Sequence, residues 1–199
     1  MKNISTNKAG KLLKQGKIGV IPTDTLYGLH TSALKPKSVE KVYKLKGRAF
    51  DKPFIILIND IKDLKIFDIE IKDRIKEALK NIWPARLSVI LPCKNKKLEY
   101  LHRGMNSLAF RIPNNNITLE ILKHSGPLIS TTVNPTGKEP AINIKEAKKY
   151  FGKKVCFYLN FGKLESRSST LVSLMNNDVK IIRQGDVKIP ESLYNLIND

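Results

Sequence analysis

Residues 44–58 read KLKGRAFDKPFIILI, and this stretch decides the fold class. Its front is the tail of a helix expected over Lys37 to Lys46, where Val39, Val42, Tyr43 and Leu45 make one apolar side. Pro36 and Ser38 stand at the start of that helix, where a proline and a capping hydroxyl are favoured. Its back, Phe54 to Ile58, is a continuous apolar run, the pattern of a strand covered on both faces. Helix, polar loop and doubly buried strand in succession point to a domain that mixes helices with a sheet.

The flanking chain follows the same grammar. Helices are expected at Thr6 to Gln15 with Gly16 as the stop, Ile71 to Asn81 ending before Trp83-Pro84, Ile117 to His124, and Ile144 to Phe151. Strands are expected at Gly19 to Pro22, Leu87 to Leu91, Ser107 to Ile112, Pro127 to Thr131, Val155 to Leu159, Ser169 to Leu174 and Lys180 to Arg183. Helices and strands alternate, yet several strands are consecutive. That order predicts an α/β (α+β) domain with a twisted mixed sheet. No repeat, linker or boundary interrupts it, so residues 1–199 read as one domain.

The 199 residues carry 36 Lys and Arg against 18 Asp and Glu, a net charge of +18. Such a surface attracts polyanions: nucleotides, RNA or an acidic protein. Lysines scattered by a biased composition are the plainer explanation. No zinc-finger spacing, RNP aromatic pattern or basic zipper is present. Cys93 and Cys156 form no C-x-x-C, and His30, His102 and His124 lack metal-ligand spacing. No apolar run reaches the roughly 20 residues of a membrane span, and residues 1–17 do not resemble a signal peptide. The expectation is a cytoplasmic protein with no membrane partner.

Four polar clusters follow apolar strands, where open α/β sheets bind ligands. Pro22 to Gly28 (PTDTLYG) is a hydroxyl-rich turn that could hold a small zwitterion or a phosphate oxygen, or simply stabilise itself. Lys46, Arg48 and Lys52 could cap a helix C-terminus or hold a triphosphate. Arg111 lies within an apolar strand and needs an anionic partner, either an internal carboxylate or a substrate's. Ser130 to Gly137 (STTVNPTG) is dense in hydroxyls and could orient a nucleotide or serve as a polar loop. G-x-x-x-x-G-K-[ST], G-x-G-x-x-G and G-x-S-x-G are all missing, so a nucleotide site here is neither a P-loop nor a Rossmann turn.

In their order and spacing, IPTDTLYGL (21–29), KLKGRAFDKPFIILI (44–58), WPARLSVIL (83–91), SLAFRIP (107–113), PLISTTVNPTGKEPA (127–141), STLV (169–172) and IIRQG (181–185) resemble the YrdC/TsaC family of threonylcarbamoyl-AMP synthases. The resemblance runs from about Gly16 to Val187, in the short single-domain form. It implies a largely open, twisted mixed sheet with helices on its faces and a basic central cavity. It also implies a nucleotidyltransferase that makes threonylcarbamoyl-AMP and pyrophosphate from ATP, L-threonine and bicarbonate. Mg²⁺ would accompany ATP, and the t6A transferase complex would receive the product for position 37 of tRNA.

By motif, the resemblance assigns ATP to Arg48, Lys52, Ser107, Thr132, Asn134, Pro140 and Arg183, and threonine to Thr25, Arg111, Ser130 and Ser169. Lys46, Arg48, Thr132 and Asn134 would be catalytic. Three departures stand out: Thr132 for a serine, Arg86 for a proline in the W-P-G-P-L turn, and Leu57 where some relatives have histidine. The competing expectations are an RNA-binding or ribosome-assembly module on this fold, and a paralogue with another reaction.

Overall fold

The computed structural model describes residues 4–175, 178–189 and 193. Helices are α1 (Thr6–Lys14), α2 (Pro36–Lys46), α3 (Asp73–Ile82), α4 (Glu99–His102), α5 (Asn116–Ser125) and α6 (Ile144–Phe151). Strands are β1 (Gly19–Ile21), β2 (Gly28–Ser32), β3 (Ile55–Leu57), β4 (Leu87–Pro92), β5 (Ser107–Arg111), β6 (Leu128–Thr132), β7 (Phe157–Tyr158), β8 (Thr170–Ser173) and β9 (Lys180–Arg183). They form one sheet in the order β7-β1-β2-β6-β3-β5-β4-β8-β9. Parallel pairs (β1 with β7, β3 with β5, β4 with β8) mix with antiparallel ones, and the sheet does not close. The expected class is therefore the observed one.

Each expected helix and strand is present, with ends shifted by at most two residues. Five elements lie outside that expectation: β2, α4, a 3₁₀ helix at Ile61–Phe67, and two single 3₁₀ turns at Lys96–Leu98 and Gly152–Lys154. The β2 sequence, GLHTS, looks like the end of a turn. It is nevertheless buried throughout, between β1 and β6.

Local chemistry explains the edges of these elements. In α2 the buried residues Val39, Val42, Tyr43 and Lys46 follow a helical stripe. Gly47 ends it at φ 60°, a left-handed conformation that glycine adopts without a Cβ penalty. Asn115 caps α5 by accepting from the Thr118 N–H at 2.9 Å.

Because paired strand residues share a face, the registers sort the sheet into two sides. Val20, Leu29, Ile56, Phe110, Val89 and Val172 face the larger core. The other side carries Ile21, Leu57 and Leu128, which pack with α1 and α5 in a smaller core. Those two helices cover only part of that side. Gly28, Ser130, Thr132, Ala109 and Arg111 share it and line an open cavity instead.

Candidate functional site

The cavity holds about 450 Å³, within the range of small-molecule sites. Its walls bring together nine residues expected from the sequence: Thr25, Arg48, Lys52, Ser107, Arg111, Ser130, Thr132, Ser169 and Arg183. They come from three strands (β5, β6 and β9) and three loops spread over residues 25–183.

The cation loop after α2 is held by its own backbone. Arg48 Nε donates to Lys52 O at 2.8 Å, and Nη2 donates to Pro53 O at 3.3 Å. The guanidinium also sits 5.2 Å from the Phe54 ring centroid. Arg183 donates from Nε to Ser169 O at 3.0 Å and from Nη2 to Ser169 Oγ at 3.3 Å. Ser169 Oγ in turn lies 2.9 Å from Ser88 Oγ, so the last strand is tied to β4 and β8.

The PTDTLYG turn folds on its own hydroxyls. Thr23 Oγ1 donates to Leu26 O at 2.7 Å and accepts from Thr25 N at 3.1 Å. Tyr27 anchors the turn from below: its hydroxyl donates to Gly162 O at 2.8 Å and accepts from Phe161 N at 2.9 Å. Gly28 is required by close approach, since a Cβ there would lie 2.1 Å from the His30 ring.

Arg111 is 4 % exposed and pairs with Asp24 through Nη2. The second oxygen of Asp24 accepts from Asn114 N at 3.0 Å. Arg111 Nη1 is 3.5 Å from Thr25 Oγ1, and its Nε has no partner. Of the two partners expected for this arginine, the internal carboxylate is present, and one buried donor is left without a partner.

Lys46, Asn134 and Pro140 do not line the cavity. Lys46 occupies the buried stripe of α2, and its ammonium points under the β6 loop. It donates to Thr132 O and Asn134 O at 2.6 Å and to Asn134 Oδ1 at 3.1 Å. Thr132 Oγ1 donates to Asn134 Oδ1 at 2.6 Å, and Thr136 N donates to Lys46 O at 2.8 Å. Lys46 and Asn134 thus shape the loop that presents Thr132. Burial, then the Arg48 charge, lower the Lys46 pKa to about 7.

The cavity's cations are energetically exposed to one another. Burial disfavours the charged form of Arg48, Arg111 and Arg183; Arg48 further lowers Arg183, and Arg183 lowers Arg111. Guanidinium stays protonated regardless, so an anionic ligand relieves this cost. Asp51 is the one carboxylate on the wall among the described residues. That donor set suits Mg²⁺ arriving on phosphate oxygens, since Mg²⁺ prefers few protein ligands. Asp24 and Tyr27 belong to the turn that the sequence singled out, but the pairing of Asp24 with Arg111 and the wall positions of Asp51, Ile90, Met105, Leu171 and Ile182 were not expected from it. Asp24 and Arg111 are 87 positions apart, and no local pattern couples them.

An open mixed sheet with a cation-walled cavity on one face defines an α/β protein whose cavity is electrostatically suited to an anion. Residues 11–185 match the family Sua5_yciO_yrdC, described as telomere recombination. The chain belongs to this family. It is 34 % identical over 142 residues to the threonylcarbamoyl-AMP synthase of Bacillus subtilis, covering 68 % of this chain and 41 % of that protein. With the Pyrococcus abyssi threonylcarbamoyl-AMP synthase it shares 28 % over 185 residues, covering 92 % and 54 %. With the putative threonylcarbamoyl-AMP synthase of Methanocaldococcus jannaschii it shares 32 % over 180 residues, covering 90 % and 84 %. The chain thus spans about half the length of the first two.

The structure of P. abyssi Sua5 complexed with L-threonine superposes with a TM-score of 0.87 at 26 % identity, over 96 % of this chain and 57 % of that one. Escherichia coli YciO superposes at 0.81 with 22 % identity, over 92 % and 90 %, a likeness of fold. No helix among the described residues is long and apolar enough to cross a membrane.

Proposed function

We propose that this chain is a nucleotidyltransferase that forms threonylcarbamoyl-AMP and pyrophosphate from ATP, L-threonine and bicarbonate. The observation that carries this reading is the convergence of Arg48, Lys52, Arg183 and Arg111 on one cavity rich in hydroxyls. Three cations answer a triphosphate, and a fourth, beside Thr25, answers an amino acid's carboxylate. The relatives' names supply the same chemistry.

In the reaction, the threonine nitrogen forms a bond to the bicarbonate carbon, a carbon–hydroxyl bond breaks, and the hydroxyl leaves as water with one amine proton, giving a carbamate. A carbamate oxygen then forms a bond to the α-phosphorus, the α–β bridging P–O bond breaks, and pyrophosphate leaves with the electron pair. This needs positioning and charge neutralisation rather than a protein nucleophile. Arg111 holds the carboxylate, with Thr25, Ser130 and Ser169 around the rest of the amino acid. Arg48, Lys52 and Arg183 hold the phosphates; Ser107 and Thr132 orient them, with Lys46 and Asn134 bracing Thr132. Pro140, outside the cavity lining, would contribute only through its backbone. Mg²⁺, carried by ATP, would add charge neutralisation, with Asp51 available from the wall. The product would pass to a t6A transferase complex in the cytoplasm for position 37 of tRNA; direct contact with tRNA would draw on the +18 charge.

The test is pyrophosphate release from ATP and Mg²⁺ with threonine and bicarbonate added singly and together. Release only with both supports the reading; release independent of threonine removes it.

A further inference from the structure

A second hollow lies away from the cavity and shares no wall residue with it. It is an open trough of about 1170 Å³. The cavity runs beside Ile55, Ser107 and Ala109, whereas the trough opens where β3 and β5 end, at Asn59 and Ile112. The 3₁₀ helix, α3 and α5 form its banks. Its floor is apolar: Leu64, Ile69, Leu79, Trp83, Ile112 and Leu119.

The banks carry Lys62, Lys65, Lys76, Lys80 and Lys123 against Asp60, Glu70 and Glu120. Two of the three carboxylates are already engaged within their own elements. Asp60 caps the 3₁₀ helix by accepting from Lys62 N at 2.8 Å. Glu120 accepts from Lys123 at 3.2 Å and contacts His124 at 3.2 Å. Lys62, Lys65, Lys76 and Lys80 have no carboxylate within ion-pair distance among the described residues. The trough therefore joins an apolar floor to a rim of uncompensated cations.

We propose that this trough docks an acidic amphipathic helix of a partner protein, apolar side down and carboxylates against the lysine rim. A helix-in-groove mode needs this pairing of a greasy floor with a charged border. RNA fits less well: the rim offers lysine point charges rather than arginine forks, and the floor is aliphatic apart from one tryptophan. Trp83 is 6 % exposed, with its indole N–H donating to Leu87 O at 2.8 Å, so its ring is a floor and not a stacking platform.

Trp83 is also the chain's only tryptophan, which supplies the readout. The probe is a synthetic helix of about 20 residues, with leucine at one helical stripe and glutamate elsewhere. A scrambled isomer of equal charge is the comparison, and the full chain is titrated with each. The expected result is saturable binding with a Trp83 emission change, at least about tenfold tighter for the patterned peptide. Lys76→Glu/Lys80→Glu is expected to weaken it about tenfold or more. The equal charge change Lys94→Glu/Lys97→Glu, on exposed lysines outside the trough, is expected to leave it unchanged, with the melting temperature of both variants checked. Equal binding of the scrambled peptide, or indifference to the α3 reversal, overturns the proposal. Competition by tRNA that disappears in the α3 variant would assign the trough to RNA and overturn it equally.

Discussion

Arg111 and Asp24 form a buried ion pair, 5 % and 4 % exposed at their side chains, and Arg111 stands with Thr25 on the cavity wall. The pair fixes the guanidinium through Nη2 and leaves Nε, itself buried, unpartnered. Arg111→Ala is expected to raise the threonine requirement at least about 100-fold while shifting the ATP requirement much less. Equal losses for both ligands would contradict the assignment. The same change strands the Asp24 carboxylate and should cost about 3–5 kcal/mol of stability. Asp24→Asn/Arg111→Met should recover most of that in denaturant melts without recovering threonine binding.

Lys52 is exposed on the cavity rim and makes no ion pair among the described residues. Lys52→Ala is expected to raise the Michaelis constant for ATP about tenfold with little change in stability. Unchanged ATP dependence in steady-state kinetics would count against its placement on the phosphates.

Lys46 works from behind the wall, where its ammonium satisfies three oxygens of Thr132 and Asn134. Lys46→Met leaves buried acceptors unpaired, at about 1–3 kcal/mol each. We expect kcat to fall and the melting temperature with it. A loss of ATP affinity alone, with the fold unaffected, would instead mean that Lys46 reaches the ligand.

His30 is fully buried on the cavity side of the sheet, and neither ring nitrogen has a partner. Burial, and secondarily the Arg111 charge, lower its pKa from 6.5 to about 4. Between those values the unfolded chain binds a proton that the folded one refuses. Stability is therefore complete above about pH 6.5 and falls as pH drops toward 4, by roughly 3 kcal/mol. His30→Gln should flatten that part of the pH–stability curve; an unchanged slope would place the acid sensitivity elsewhere.

The sequence revealed most of this architecture because local chemistry agrees with the fold at α2, β3 and β5. The apolar stripe of α2, the run at 54–58 and the arginine inside an apolar strand are each visible without a partner. β2 was hidden because its glycine, histidine, threonine and serine are made acceptable only by strands on either side. The Arg111 counterion was hidden for a similar reason, since Asp24 reaches it through the sheet and not along the chain. Lys46 illustrates a third limit. The sequence offered it only as a helix-capping or phosphate-holding cation, whereas the fold buries it beside Val39, Val42 and Tyr43 and turns it toward Thr132 rather than the cavity.

The central claim is that one cavity grips a triphosphate and an amino acid's carboxylate at the same time. A crystal structure with a non-hydrolysable ATP analogue, Mg²⁺ and L-threonine tests it most directly. The account predicts phosphate oxygens within hydrogen-bond distance of Arg48 and Lys52, and the threonine carboxylate within hydrogen-bond distance of the Arg111 guanidinium. Both ligands bound elsewhere, with these three side chains turned away, would contradict it.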